Sequence, residues 1–267
     1  MAPEWCDHVV NHLATGSLPE SALDRIAGLP RAGADRRYRR PVRQWQRRET
    51  ANAWDAAGGK QLPTRAEQQD LLLALLIESE IGDGAVLDLG IGSGLVAELV
   101  LEALPQAELV GVDFSRPMLD LARKRLSRFG SRVLFCEGDL AEPDAIDLPH
   151  RRYKATFSIQ TMHHLGDREK AAAFAWTAGL VDPGGLVAIV DRVSVEESLF
   201  EDWLVVWRRI DPTAAGTFAQ HIDELEKAGD RPARLEDQLA WMKAAGLDAC
   251  CLHLYGDRAL LVGRKPR

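Results

Sequence analysis

Short apolar runs, most of them closed by a glycine or an acid, alternate along this chain with stretches of helical spacing. Val86, Leu87 and Leu89 read as a buried strand that turns through Gly90, Gly92 and Gly94 into a helix over 95–101. Further strand-length runs fall at 109–113, 132–136, 154–159 and 186–190, the last preceded by the turn Asp182-Pro183-Gly184-Gly185. Apolar strands alternating with amphipathic helices predict an α/β fold with a parallel sheet covered on both faces. A helix with Leu71, Leu72, Leu75 and Leu76 on its apolar face leads into the first strand, opened by a capping box of Thr64 and Glu67. Ser115 and Pro117 suit the N-cap and first turn of the helix after the second strand. Two helices at about 194–230 then break the rhythm, the first carrying Phe200, Trp203 and Trp207, the second Phe218, His221 and Leu225. A helix over 235–245 follows. Strands at 248–255 and 259–263, joined by Gly256-Asp257-Arg258, read as a closing hairpin. Residues 1–30 read as helices, with Leu13, Leu18, Leu23, Ile26 and Leu29 apolar.

The glycine turn carries the first chemical signal. Glycine permits positive φ and lets a ligand lie directly on the backbone, and a strand–turn–helix unit in a parallel sheet is where nucleotide-like ligands bind. A dinucleotide fingerprint would place its third glycine at position 95, which is Leu95. The pattern is instead Asp88-x-Gly90-x-Gly92-x-Gly94, and a second acid, Asp113, ends the next strand. At that strand end Asp113 is placed to accept both ribose hydroxyls of a nucleoside lying across the glycine turn.

The first pattern, the stretch VGVDFSRPMLDLARKRL from Val110, the loop TMHHL from Thr161 and the DPGG turn together resemble the class I S-adenosylmethionine-dependent methyltransferases of the small-molecule type. The resemblance implies a doubly wound, seven-stranded Rossmann-like sheet of order 3-2-1-4-5-7-6, with S-adenosyl-L-methionine as cofactor and S-adenosyl-L-homocysteine as product. It also implies roles for single residues. Asp88 would lie near the methionine ammonium, with Gly90, Gly92 and Gly94 making room for the cofactor. Asp139 would contact the adenine amino group and Leu140 a ring nitrogen through its backbone N–H, with Phe114, Met118 and Gln160 completing the cofactor set. Met118 reads equally as core and Asp139 as a helix N-cap. Residues 49–63 resemble the segment that caps the cofactor in many small-molecule members.

The loop 160–165 lacks both the Asn-Pro-Pro-Tyr/Phe run of amino-methyltransferases and the Pro-Cys nucleophile of cytosine-5 enzymes. A neutral imidazole can take a proton from a hydroxyl or thiol near neutral pH. His163, His164 and His221 are therefore base candidates, with Asp191 a further one; His164 can equally hold the loop by hydrogen bonding. Arg192 can grip an anionic substrate by a bidentate contact. Trp203 and Trp207 can line an apolar pocket, though aromatic residues at helical spacing also read as core. No metal ligand is assigned, since Cys6, Cys136, Cys250 and Cys251 show no ligand spacing.

These readings lead to methyl transfer onto a small-molecule substrate. Three others compete with it. Between Arg31 and Arg48 eight arginines stand against one acid, Asp35. That run reads as a solvated amphipathic helix with Tyr38, Val42 and Trp45 facing inward, or as the grip of an RNA methyltransferase. The second half of the chain also resembles enzymes that make carboxy-S-adenosylmethionine for wobble-uridine modification. A non-catalytic cofactor sensor is the third. The 267 residues carry a net charge of −7, which argues against a nucleic-acid surface covering the whole protein. No apolar run approaches the roughly 20 residues of a membrane span, and the start MAPEWCDHVV lacks the features of a signal peptide, so a cytoplasmic protein with reduced thiols is expected. The expected organisation is a helical extension at 1–48 and a catalytic domain at 49–267 with a lid insertion at about 194–230. The extension and the lid would offer oligomer surfaces.

Overall fold

Seven strands hydrogen-bond into one mixed sheet in the computed structural model, which describes residues 42–57, 63–150 and 152–267. The helices expected over 1–30, the arginines of 31–41 and the side chains of Val42, Arg43 and Thr64 lie outside the described residues. In chain order the elements are α1 (Val42–Trp45), α2 (Arg48–Ala57), α3 (Pro63–Ile77), β1 (Ala85–Leu89), α4 (Leu95–Ala103), β2 (Glu108–Asp113), α5 (Arg116–Arg125), β3 (Val133–Glu137), β4 (Tyr153–Ile159) and α6 (Asp167–Leu180). They continue as β5 (Val181–Arg192), α7 (Phe200–Trp207), α8 (Phe218–Ala228), α9 (Leu235–Ala244), β6 (Asp248–Tyr255) and β7 (Arg258–Arg264). The sheet order is β3-β2-β1-β4-β5-β7-β6, as the resemblance implies. β1 to β5 run parallel, and β7 pairs antiparallel with both β5 and β6.

The period of two along each strand divides the core. Val86, Phe157, Ala188 and Val190 point to one face, where they meet Leu72, Leu76, Leu101 and Leu119 of α3, α4 and α5. Leu87, Leu89, Val187 and Ile189 point to the other, against Phe174 of α6 and Met242 of α9. Inner strands of a parallel sheet are covered on both sides, which is why these segments read as unbroken apolar runs. β6 alternates exposed and half-buried positions instead, as an edge strand does.

One boundary differs from expectation. The DPGG turn lies inside β5 as a bulge: Tyr153 pairs with Val181, whereas Ala155 pairs with Leu186. Pro183 has no N–H to give to a ladder, and Gly184 takes φ 77° to carry the chain around the extra residues. Among the described residues no helix is long and apolar enough to cross a membrane.

Candidate functional site

The carboxyl ends of β1, β2, β4 and β5 open onto a cavity of about 450 Å³. At its floor the chain leaves β1 at Gly90, whose N–H donates to Val112 O at 2.8 Å. Gly90 has φ 82°, and a Cβ built there would stand 2.3 Å from Thr161 Oγ1, so both conformation and space demand glycine. Gly92 has φ 55°, yet a Cβ there meets no atom within 4 Å. It faces the cavity, not a protein neighbour.

Asp88 and Asp113 stand at the ends of β1 and β2, both buried and both lining the cavity. Gly92 N–H donates to Asp113 Oδ2 at 2.9 Å and Ser115 N–H to Oδ1 at 2.8 Å, which fixes the carboxylate across the glycine turn. Burial outweighs these bonds and raises Asp113 to about 6. Among the described residues none donates a hydrogen bond to Asp88. Burial first, and the charge of Asp113 second, push it well above the carboxylate range.

Phe114, Met118, Asp139, Leu140 and Gln160 also line the cavity. Asp139 accepts from Ala141 N–H at 2.9 Å, closing the turn after β3. Gln160 holds φ 54°, a left-handed conformation that a non-glycine residue adopts at a cost. Arg258 Nη1 donates to its side-chain oxygen at 2.6 Å.

The segment before the sheet covers this region. Trp45 and Trp54 line the cavity with their rings packed edge to face. Ser115 Oγ donates to Trp45 O, and Gln46 Nε2 donates to Phe114 O at 2.8 Å. Gln44 Nε2 reaches Ala228 O at the end of α8, so the segment before β1 and the insertion after β5 meet at the cavity.

A second set of polar groups faces the first. His163 is buried, with Nδ1 2.5 Å from Asp191 Oδ1, while its backbone N–H donates to Asp191 Oδ2 at 3.0 Å. A carboxylate only accepts, so Asp191 holds the ring proton on Nδ1. Burial lowers His163 against the pull of Asp191. Burial also works against the charge of Asp191, but His163 and the neighbouring N–H groups outweigh it and hold Asp191 below its usual range. Asp230 Oδ1 lies 3.5 Å from His163 Nε2 and 3.3 Å from His164 Nδ1. Burial opposes its charge too, yet both histidines and Arg192 keep Asp230 strongly depressed. Arg192 donates from Nη1 to Asp230 Oδ2 at 2.5 Å and from Nε to Asp257 Oδ2 at 3.1 Å. Its guanidinium lines the cavity but is already committed to two carboxylates.

Five expected site residues do not line the cavity: Asp191, which stands behind His163, and four whose packing says why. Gly94 caps α4 at φ 81°, and a Cβ there would press on Leu126 and Ala122, so this glycine admits α5 and the turn behind it. Trp203 and Trp207 stack on each other at 5.5 Å, and Trp203 stacks on Phe200. His221 packs against Phe200 and Trp203. These rings make the insertion's own small core. Conversely, the sequence reading passed over Asp230, Asp257, Arg258 and Trp54. The one local signal for Asp230 was its position just after Gly229, the left-handed C-cap of α8.

A model of a methyltransferase domain matches residues 86–185. The demethylmenaquinone methyltransferase of Thermus thermophilus is 29% identical over 189 residues, covering 68% of this chain and 82% of the relative. An O-methyltransferase family protein from Burkholderia thailandensis shares the fold at TM-score 0.60 and 21% identity, over 92% of this chain and 69% of its own. The S-adenosylmethionine-dependent methyltransferase SibL does so at TM-score 0.54 and 19% identity, over 74% and 55%.

Proposed function

Since this chain belongs to the class I S-adenosylmethionine-dependent methyltransferases, we propose that it methylates a small-molecule acceptor held at the His164 end of its cavity. The observation that carries this reading is a single cavity of about 450 Å³ with two chemically different ends. That volume lies within the range of small-ligand sites, roughly 300–1,000 Å³.

The residues at the first end fit the cofactor. Asp88 is a buried carboxylate with no hydrogen-bond donor among the described residues, which suits an ammonium group. Gly92 leaves open the space a side chain would fill. Asp113, oriented by two backbone N–H groups, retains lone pairs for the ribose hydroxyls. Asp139 and Leu140 border the place for the base, with Phe114 and Met118 as its apolar walls. When bound, the cofactor supplies a methyl group on positively charged sulfur, ready for in-line displacement.

The protein then has to align the acceptor, exclude water and manage the acceptor's charge. Trp45 and Trp54, together with the insertion at 194–230, act as the lid that keeps water out. Activating the acceptor falls to the His163, His164 and Asp230 group. His163 is anchored by Asp191, while His164, 24% exposed at its side chain, is the more accessible of the pair. The cover of 82% of a relative named for a demethylmenaquinone acceptor supports a small ring acceptor over RNA.

The test is transfer of isotope-labelled methyl from S-adenosylmethionine to a panel of phenols, quinols, carboxylates and thiols, run beside total tRNA and rRNA. Labelled small-molecule product that disappears in His164→Phe is expected, with cofactor affinity kept within about threefold. Label entering RNA alone would overturn the reading, as would cofactor binding with no product from any acceptor.

A further inference from the structure

We propose that His163, His164 and Asp230 form a site for one divalent transition-metal cation, zinc by its ligand chemistry, at the acceptor end of the cavity. This deepens the proposed function, because it rests on reading that end as the place where the acceptor is activated.

The distances come first. Tetrahedral zinc binds nitrogen and oxygen at about 2.0–2.1 Å, which sets ligand atoms about 3.3–3.4 Å apart along each tetrahedral edge. His164 Nδ1 lies 3.3 Å and His163 Nε2 lies 3.5 Å from the same oxygen, Asp230 Oδ1. All three ligand atoms fall within 4.8 Å of one another. No side chain has to move far to embrace a cation.

The donor chemistry agrees. Asp191 fixes the ring proton of His163 on Nδ1, so the Nε2 lone pair points toward a carboxylate oxygen. His164 Nδ1 is buried, has no well-aligned hydrogen-bond partner among the described residues, and faces that oxygen too at 3.3 Å. Two nitrogens and a carboxylate oxygen converge on a point that calls for positive charge. A carboxylate behind a ligating imidazole is also the usual outer support of a metal-bound histidine. Asp230 keeps Oδ1 for the site because Arg192 occupies Oδ2.

The frame is rigid before any ion arrives. Lys170, wholly buried, donates from Nζ to both Leu165 O and Arg231 O, and Arg231 N–H donates to His163 O. The histidine loop and the Asp230 segment are thereby tied together. All three proposed ligands line the cavity, so the fourth position faces the acceptor. Three protein ligands with one open position is the pattern of a catalytic zinc site. An acceptor hydroxyl or thiol coordinated there would have its pKa lowered, as metal-bound water has.

The test uses the full chain, stripped with EDTA and titrated calorimetrically with zinc chloride, then with cobalt chloride followed by visible absorption. One equivalent of zinc per chain and the absorption of tetrahedral cobalt are expected. H164F and D230N should each bind zinc at least about 100-fold more weakly, and D191N about 10- to 100-fold more weakly. H150Q, distant from the cavity, should bind as the parent does. Retained cofactor affinity in H164F reports that its fold is intact, and D191N carries the comparison should H164F lose it. Absence of stoichiometric zinc, or equal affinity in the parent, H164F and D191N, would overturn the site. Metal-free protein that still transfers methyl at an undiminished rate would leave the proposed function standing and remove the cation from it.

Discussion

The two ends of the cavity are built in opposite ways. The proposed cofactor end comes from three consecutive strand–loop units within 88–140, each adding an acid within two residues of its strand's end: Asp88, Asp113 and Asp139. The proposed acceptor end is gathered from segments far apart in sequence, with His163 and His164 after β4, Asp191 and Arg192 closing β5, Asp230 after α8, and Asp257 and Arg258 at the β6–β7 turn. The first end leaves Asp88 buried beside Asp113 with no hydrogen-bond donor among the described residues. The second pairs nearly every charge it buries. The difference teaches that the proposed cofactor end buries a carboxylate the described residues leave for a ligand, whereas the proposed acceptor end is held together by the protein itself.

The largest expected effect tests the floor of the cofactor end. Gly90→Ala forces a side chain into Thr161 at a positive φ, so cofactor affinity should fall at least about 100-fold, with stability lost by about 1–3 kcal/mol. Gly92→Ala has only the backbone penalty, about 1–2 kcal/mol, because no protein atom stands in its way. Its affinity should nevertheless fall. Calorimetry and thermal melts of the two variants separate ligand space from protein packing, and normal cofactor affinity in Gly92→Ala would break the assignment of that space.

Asp88→Asn should move stability and binding in opposite directions. A charge-assisted hydrogen bond contributes about 1.5–3 kcal/mol, so cofactor affinity should fall roughly 10- to 150-fold. The ligand-free variant should melt higher than the parent, since a buried carboxylate beside Asp113 destabilises the fold when ionised. A lower melting temperature in ligand-free Asp88→Asn would show that Asp88 is paired within the fold, and the contrast between the two ends would fail.

The smallest effect is in pH. Asp113 sits at about 6 in the folded chain, above the roughly 3.9 of an unfolded aspartate. The folded state therefore holds its proton more tightly than the unfolded chain. Its ionisation costs stability above pH of about 6, and that cost is relieved as pH falls through 6 toward 4. Ligand-free protein should thus gain stability from this site on mild acidification, while cofactor affinity declines by up to about tenfold per pH unit below 6. At the other end, burial holds His163 below the usual imidazole range and its partners hold Asp191 below the usual carboxylate range, so these two groups should contribute less in that window than Asp113 does. Melting and calorimetric profiles between about pH 7 and 5 check both halves.

What the sequence determined by itself is the part whose information is local. The apolar runs set the strands, because burial on both faces removes polar alternation. The turn Asp88-x-Gly90-x-Gly92 specified a positive-φ path that only glycine follows cheaply. Asp113 was visible because a strand end fixes where its last side chain points, and Asp139 only through the family resemblance. Tertiary structure decided the rest. Gly94 looks like its neighbours in the motif, yet it serves the packing of α5. Trp203 and Trp207 had the spacing of a pocket wall, and only the turn of α7 against α8 made them a core of their own. Asp230 carried no motif at all; Gly229 ending α8 and the clasp of Lys170 bring it to the two histidines. Spacing along a chain cannot report a meeting between residues 163 and 230, because the loop closure that joins them is made by packing and not by any pattern in between.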